Sequence, residues 1–168
     1  VWLVKQLRSL RKGKKILDTG AGECYYHRYC QHLQYVSQDL ADYDGKGNKK
    51  GIQTGKRDYS ALDIISDIVD IPVKSKSFDA VLCAEVFEHL PVPLDALKEV
   101  SRVLADGGIF ILTAPFVSLT HYSPFYYYSG FSINFYKENL PKYGFKIFRL
   151  IHWPGEPSPA GKPAVKGG

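Results

Sequence analysis

Two sets of residues in this chain have the types and spacing for chemistry. The first is Asp18-Thr19-Gly20-Ala21-Gly22, an acid followed by two glycines one residue apart. Glycines there let the backbone turn sharply and let a ligand approach the main chain with no Cβ in the way. Asp39 stands 19 residues beyond Gly20. An acid at about that distance, at the tip of a second strand, grips a ribose through its hydroxyls; a turn or cap is its alternative role. Asp67-Ile68 offers an acceptor for an adenine amino group beside an apolar side chain for the ring. Asp67 and Asp70 can instead shape the turn before Pro72. The second set is Glu85-Val86-Phe87-Glu88-His89, joined by His121. On a helix, Glu88 and His89 fall three and four residues after Glu85, so all three share a side.

The elements that must position these residues alternate. Trp2 to Leu10 repeats leucine at helical spacing and stops near Gly13. Lys15 to Asp18 reads as a first strand, Tyr25 to Leu33 as a helix, and Gln34 to Gln38 as a second strand. Ala41 to Tyr59 is rich in Gly, Lys and Asp without periodicity, a long surface excursion expected to be chemically silent. Leu62 to Ser66 gives a third strand. Ser77 to Ala84, a nearly continuous apolar run, gives a fourth. Leu94 to Leu104 is an amphipathic helix ended by the Asp106-Gly107-Gly108 turn, and Ile109 to Leu112 is a fifth strand. This alternation predicts an α/β fold, a doubly wound, mostly parallel sheet with helices on both faces. Such sheets bind ligands at the strands' carboxyl ends, where Asp18, Gly20, Gly22, Asp39, Asp67, Glu85 and Pro115 all fall.

The chain's 168 residues suit one domain, 45% apolar and 23% charged, in the range of globular proteins. No apolar run reaches the length of a membrane span. Cys24, Cys30 and Cys83 are odd in number and lack metal-ligand spacing, which points to a reduced, cytoplasmic setting. The net charge of +5 reads as solvated surface charge with a mild bias toward anionic partners. A start at Val1 and the lack of methionine point to a chain without its natural beginning. Residues 1–153 are expected to form the domain. Residues 154–168, dominated by Pro, Gly, Ala, Ser and Lys, read as a disordered tail or fragment end.

Taken together, Ile16 to Gly22, Asp39, Ser66-Asp67-Ile68, Ser77 to Val81, Glu85 to Leu90 and Leu104 to Pro115 resemble the class I S-adenosylmethionine-dependent methyltransferases. The methyltransferase type 11 group is the nearest match. The resemblance covers Lys15 to Trp153. It implies that Asp18, Gly20, Ala21 and Gly22 meet the methionine part of the cofactor. It assigns Asp39 and Leu40 to the ribose, Asp67 and Ile68 to the adenine, and Ala84 and Glu85 to the sulfonium. Cys24 departs from the pattern, because the family commonly has a third glycine there. The family also closes its sheet with an antiparallel strand pair. Phe145 to Trp153 can supply the first member, but Pro154 to Gly168 does not read as the second, so the sheet is expected to be incomplete at that edge.

Methyl transfer is an in-line displacement at an activated carbon, so the protein must align the acceptor and, for a hydroxyl, remove its proton. Glu85, His89 and His121 are the expected catalytic residues. With Glu88 they also form an oxygen and nitrogen donor set for a divalent ion. The spacing is similar to the metal site of ubiquinone-pathway and small-RNA 3′-end O-methyltransferases. The same letters cap and pack a helix in relatives without an ion, and no metal is the expectation here. Tyr122 to Tyr136 is dense in aromatics, expected to divide between core packing and acceptor binding.

The expected function is thus methyl transfer to a small-molecule or glycan acceptor. An RNA methyltransferase is the alternative, though no basic stripe interleaved with aromatics stands out. A non-catalytic cofactor-binding domain is another. A nicotinamide Gly-x-Gly-x-x-Gly loop fits worse, because its last glycine falls at Tyr25. The acceptor atom and oligomeric state are not legible.

Overall fold

Phe78–Ala84, the most continuously apolar run, becomes the central strand of the sheet, β4. The computed structural model describes residues 2–152, 156–157 and 164–166. On one side β4 pairs in parallel with β1 (Lys15–Thr19), followed by β2 (Gln34–Asp39) and β3 (Ile64–Ile65). On the other it pairs in parallel with β5 (Leu104–Thr113). Successive strand side chains point to opposite faces, and both faces are covered. Leu17, Val81, Cys83 and Phe110 pack with α2 (Pro93–Val103) on one side. Ile16, Ala80, Leu82 and Ile111 pack with Leu7 of α1 (Trp2–Ser9) and Leu10 on the other. This is the expected α/β arrangement. Strand order reverses between β1 and β4, opening a crevice at their carboxyl ends.

The differences from expectation are local. The helix expected over 25–33 is a short 3₁₀ turn, Tyr25–Tyr29, and i to i−3 bonds continue through Cys30 and Leu33. Cys24 precedes it at φ +56°, the left-handed conformation glycine adopts without strain, which accounts for the family's preference there. Strand β3 keeps only two residues because the Asp63 carboxylate replaces a rung, accepting from both the N–H and Oγ of Ser37 at 2.8 and 2.9 Å. The Asp106-Gly107-Gly108 turn lies inside β5 as a register shift against β4, with Gly107 at φ +70°. No helix among the described residues is long and apolar enough to cross a membrane.

The closing pair exists only as short pieces. After α3 (Ile133–Asn139) come β6 (Phe145–Lys146) and β7 (Ile151–His152), which pairs with β8 (Glu156–Pro157). Strand β9 (Ala164–Lys166) runs antiparallel between β5 and β6. Three residues set among Pro and Gly carry no alternation to read; main-chain groups of the open β5 edge are enough to recruit them. The rest of 154–168, and Trp153, lie outside the described residues.

One buried charge network holds the segment that carries Asp67. Glu99, only 8% exposed on α2, accepts from the Ile71 N–H at 2.8 Å. Arg102 donates to both Glu99 oxygens at 2.6 and 2.8 Å and to the carbonyls of Ile71 and Val73 at 2.8 and 2.7 Å. Burial opposes ionisation of Glu99, but these donors prevail and hold its carboxyl below the usual range. Its contribution to stability is therefore present above the unfolded carboxylate pKa and fades as the pH falls through the lowered value. Glu99→Ala orphans the Ile71 N–H and should cost about 2–3 kcal/mol in urea unfolding at pH 7. Glu99→Gln should cost less, since its amide oxygen can still accept.

Candidate active site

A cavity of about 410 Å³ lies over the carboxyl ends of β1, β2, β3 and β4. Gly20, Ala21 and Gly22 line it from the first loop, and Asp39 and Leu40 from the end of β2. Asp67 and Ile68 line it after β3, and Ala84 and Glu85 after β4. Every expected cofactor residue except Asp18 is brought to this one space. Gly20 sits at φ +70°, and a Cβ there would lie 2.3 Å from Val86 Cγ2, so no other residue fits without displacement. Asp39 Oδ2 accepts from the Gly22 N–H and Oδ1 from the Ala41 N–H, both at 2.9 Å. Each oxygen keeps a further lone pair. Asp67 Oδ1 accepts from the Val69 N–H at 3.1 Å, so Asp67 shapes its turn as well as lining the cavity. Glu85 is exposed, in a left-handed conformation at φ +56°, with its N–H bonded to the Thr113 carbonyl at 2.9 Å. Such backbone strain persists where the surrounding structure holds it.

Asp18 lies beneath this space, 1% exposed. Its Oδ2 accepts from Tyr35 Oη at 2.5 Å. Burial pushes its carboxyl up to about 7, against the Tyr35 hydrogen bond and with some help from the charge of Asp39. Through Tyr35 it ties β1 to β2, and it does not line the cavity.

On the acceptor side, a 3₁₀ turn, Phe87–His89, replaces the expected helix and splits the Glu85, Glu88 and His89 group. Glu85 stays at the cavity, while Glu88 turns inward and is 1% exposed. His89 lines the cavity and donates from Nδ1 to the Phe125 carbonyl at 2.5 Å, because a carbonyl can only accept. This leaves Nε2 as the acceptor nitrogen of the neutral ring. His121 does not line the cavity, but its ring meets that of His89 edge-on at 4.7 Å. The Nε2 atoms of His89 and His121 lie 3.7 and 3.9 Å from Glu88 Oε1. Burial raises the Glu88 carboxyl to about 7 and lowers the His89 imidazole to about 4. Glu88 Oε2 and His89 Nε2 are buried without a hydrogen-bond partner.

The aromatic segment divides between the cavity and the core. Tyr122 and Phe125 line the cavity, Phe131 is buried in the core, and Phe135 and Tyr136 pack against that core. The excursion over 41–59 is where the sequence misleads, because Asp42, Tyr43, Arg57 and Tyr59 also line the cavity. It is held there by main-chain bonds to 120–123. The Ile52 N–H donates to the Thr120 carbonyl at 2.9 Å and the Tyr122 N–H to the Ile52 carbonyl at 3.0 Å. Gly51 permits this approach, since a Cβ would stand 2.3 Å from the Thr120 oxygen. No periodicity or motif within 41–59 signals this docking.

The raised Asp18 carboxyl makes a prediction about stability. Its folded pKa exceeds the unfolded value, so the folded state binds the proton more tightly. Stability from this group is full below the unfolded carboxylate pKa and is lost as pH rises through about 7. Asp18→Asn keeps an acceptor for Tyr35 but cannot ionise. The variant should therefore gain about 2–4 kcal/mol relative to the parent between pH 5 and pH 8, seen as converging or crossing melting curves in a pH series.

The profile of the family described as "Methyltransferase domain" matches residues 17–112. Over 113 residues the chain is 31% identical to a sarcosine/dimethylglycine N-methyltransferase of Halorhodospira halochloris, covering 64% of this chain and 40% of that protein. It is 34% identical over 110 residues to a fatty-acid O-methyltransferase of Mycolicibacterium smegmatis, covering 61% and 37%. The chain thus spans about two fifths of the length of these curated relatives. In structure it is similar to phosphoethanolamine N-methyltransferase 2 of Haemonchus contortus, solved in complex with S-adenosyl-L-methionine, with a TM-score of 0.59 at 18% identity over 86% of this chain and 36% of that one. That likeness concerns the fold. The family match spans the glycine loop, Asp39 and Asp67, and four of the strands' carboxyl ends, and by it this chain belongs to the methyltransferase-domain family.

Proposed function

We propose that this chain is an S-adenosylmethionine-dependent methyltransferase acting on a small-molecule acceptor. The observation that carries the reading is the convergence of Gly20, Gly22, Asp39, Asp67, Ile68 and Glu85 on one cavity. The residues present fit the cofactor. The cavity's 410 Å³ lies within the range of roughly 300–1,000 Å³ usual for small-ligand sites. Its glycine side leaves room where a Cβ would clash, and acids stand where hydroxyls and an amino group need acceptors. The relatives' acceptors, an amine and a carboxylate among them, support a small molecule over RNA. Three free cysteines fit a reduced, cytoplasmic setting.

When bound, S-adenosylmethionine supplies a methyl carbon already activated by its sulfonium. The chain's own residues do the rest. Asp39 with Leu40 holds the ribose, and Asp67 with Ile68 the adenine. Asp18 ties β1 to β2 through Tyr35 just before the glycine loop, and Glu85 places negative charge beside the positive sulfur. His89 lines the acceptor side and takes the acceptor's proton, its ring held by the Phe125 carbonyl and by the edge of His121 until the acceptor draws the buried Nε2 away from Glu88 toward the cavity. Tyr122 and Phe125 line the cavity beside His89 and pack against the acceptor. A second reading of the same cluster is favoured by the unpartnered Glu88 Oε2 and His89 Nε2. Glu88, His89 and His121 offer three ligand atoms within 4.8 Å of one another, a set that would hold a divalent ion and lower an acceptor hydroxyl's pKa.

Calorimetric titration should give saturable binding of S-adenosylhomocysteine and none of NADH; binding of neither overturns the cofactor assignment. Once an acceptor is found, His89→Gln should lower kcat roughly 100-fold or more while leaving S-adenosylhomocysteine affinity within a few-fold. Equal losses in both refute a catalytic His89. Exhaustive chelation separates the two readings of the cluster: turnover unchanged keeps the base, and turnover lost but restored by added metal keeps the ion.

A further inference from the structure

Arg57 is the only Lys or Arg among the described residues lining the cavity, whose other charged members are Glu23, Asp39, Asp42, Asp67 and Glu85. It forms no ion pair with any of these acids. Its guanidinium lies over the rings of Tyr43 and Tyr122, 5.8 and 4.6 Å from their centres, and Nη2 donates to Tyr122 Oη at 2.5 Å. Nη1 has no hydrogen-bond partner among the described residues, and it lies 2.9 Å from the position a Cβ on Gly22 would take. A half-buried guanidinium aimed at the glycine loop, held by tyrosines and unpaired with any carboxylate, is a prepared receptor for an anion. Arginine offers a planar fork that matches a carboxylate in two parallel bonds.

Three of the glycine loop's main-chain donors are already committed. The Ala21 N–H is given to the Gln38 carbonyl at 3.0 Å and the Gly22 N–H to Asp39 Oδ2 at 2.9 Å. The Cys24 N–H is given to the Ala21 carbonyl at 2.8 Å. A carboxylate brought against this loop therefore finds the Ala21, Gly22 and Cys24 donors already in use, beside the acids Glu23 and Asp39. From these juxtapositions we infer that Arg57 is the receptor for the α-carboxylate of the cofactor's methionyl group, delivered by the excursion over 41–59. The inference rests on the cofactor reading above. It gives the excursion a role, which is to bring one cation to an acid-lined cavity whose loop has three of its donors committed elsewhere. Through Tyr122, the same cation touches the segment that lines the acceptor side. The Asp58 N–H, next in the chain, donates to Glu23 Oε1 at 3.2 Å and holds this part of the excursion against the loop.

The test compares two ligands that differ in the amino-acid part. S-Adenosylhomocysteine carries the α-carboxylate and α-amino group, and 5′-methylthioadenosine lacks both. Calorimetry on the full chain should show Arg57→Gln weakening S-adenosylhomocysteine roughly 10- to 100-fold while 5′-methylthioadenosine binds as it does to the parent. Unchanged 5′-methylthioadenosine binding also reports that the variant is folded. Tyr122→Phe, which keeps the ring and removes the acceptor of the Arg57 bond, should weaken only S-adenosylhomocysteine, by a few-fold. Equal losses for both ligands mean that Arg57 only shapes the cavity, and no loss for either means that it serves another group; both overturn the inference and leave the cofactor reading standing. If the parent binds neither ligand, both readings fall together.

Discussion

The site depends on the carboxylate of Asp39. One oxygen closes the glycine loop onto β2 through the Gly22 N–H; the other takes the Ala41 N–H and starts the excursion in a fixed direction. A single acid at the tip of β2 thereby joins two segments that have no pattern of their own. Parallel pairing puts it there: Lys15 to Thr19 lies in register with Gln34 to Gln38, so the ends of β1 and β2 reach the crevice together. Because both faces of the sheet are buried, a slip of one residue would turn apolar side chains from one packed face to the other, and the register is held.

Around this junction the chain accepts conformations that cost free energy. Cys24, Ala41, Glu85 and Tyr122, none of them glycine, have positive φ and lie at or beside the cavity. Strain of about 1–3 kcal/mol per residue is tolerated only where neighbours over-determine the backbone. Here they do: the Glu85 N–H is bonded to Thr113, the Ala41 N–H to Asp39 and the Tyr122 N–H to Ile52. The rigid strands fix these bonds, and the loops carry the result into the cavity. That division suits a family in which the cofactor half is held by the sheet and the acceptor half by segments free to vary.

The cluster of Glu88, His89 and His121 shows how burial changes the meaning of ordinary residues. In water a glutamate would be ionised and a histidine about one quarter protonated at neutral pH. Here desolvation favours the neutral form of each, pushing Glu88 up to about 7 and His89 down to about 4. The Phe125 carbonyl then fixes the His89 tautomer. Two sequence-adjacent residues become a coupled polar pair only because a 3₁₀ turn sends one side chain inward and the other toward the cavity.

From the sequence alone, the sheet and the cofactor side were legible. Apolar runs ending in Asp18, Asp39, Ala84 and Thr113 mark strands buried on both faces, and glycine spacing marks the loop, because strand patterning and turn chemistry are local properties. The resemblance then named the ligand and its residues, and all but Asp18 reached the cavity. That Asp18 is buried and does not line the cavity is a property of the packed sheet, which its position in a motif does not reveal. The short strand at Ala164–Lys166 escaped notice because edge pairing uses main-chain groups that every residue carries. The approach of Arg57 to Gly22 was equally hidden: it depends on bonds between 41–59 and 120–123, contacts some 70 residues apart in the chain that leave no periodic trace. Local patterning determined which strand ends would hold a ligand, while long-range docking of two loops decided what charge and shape that ligand meets.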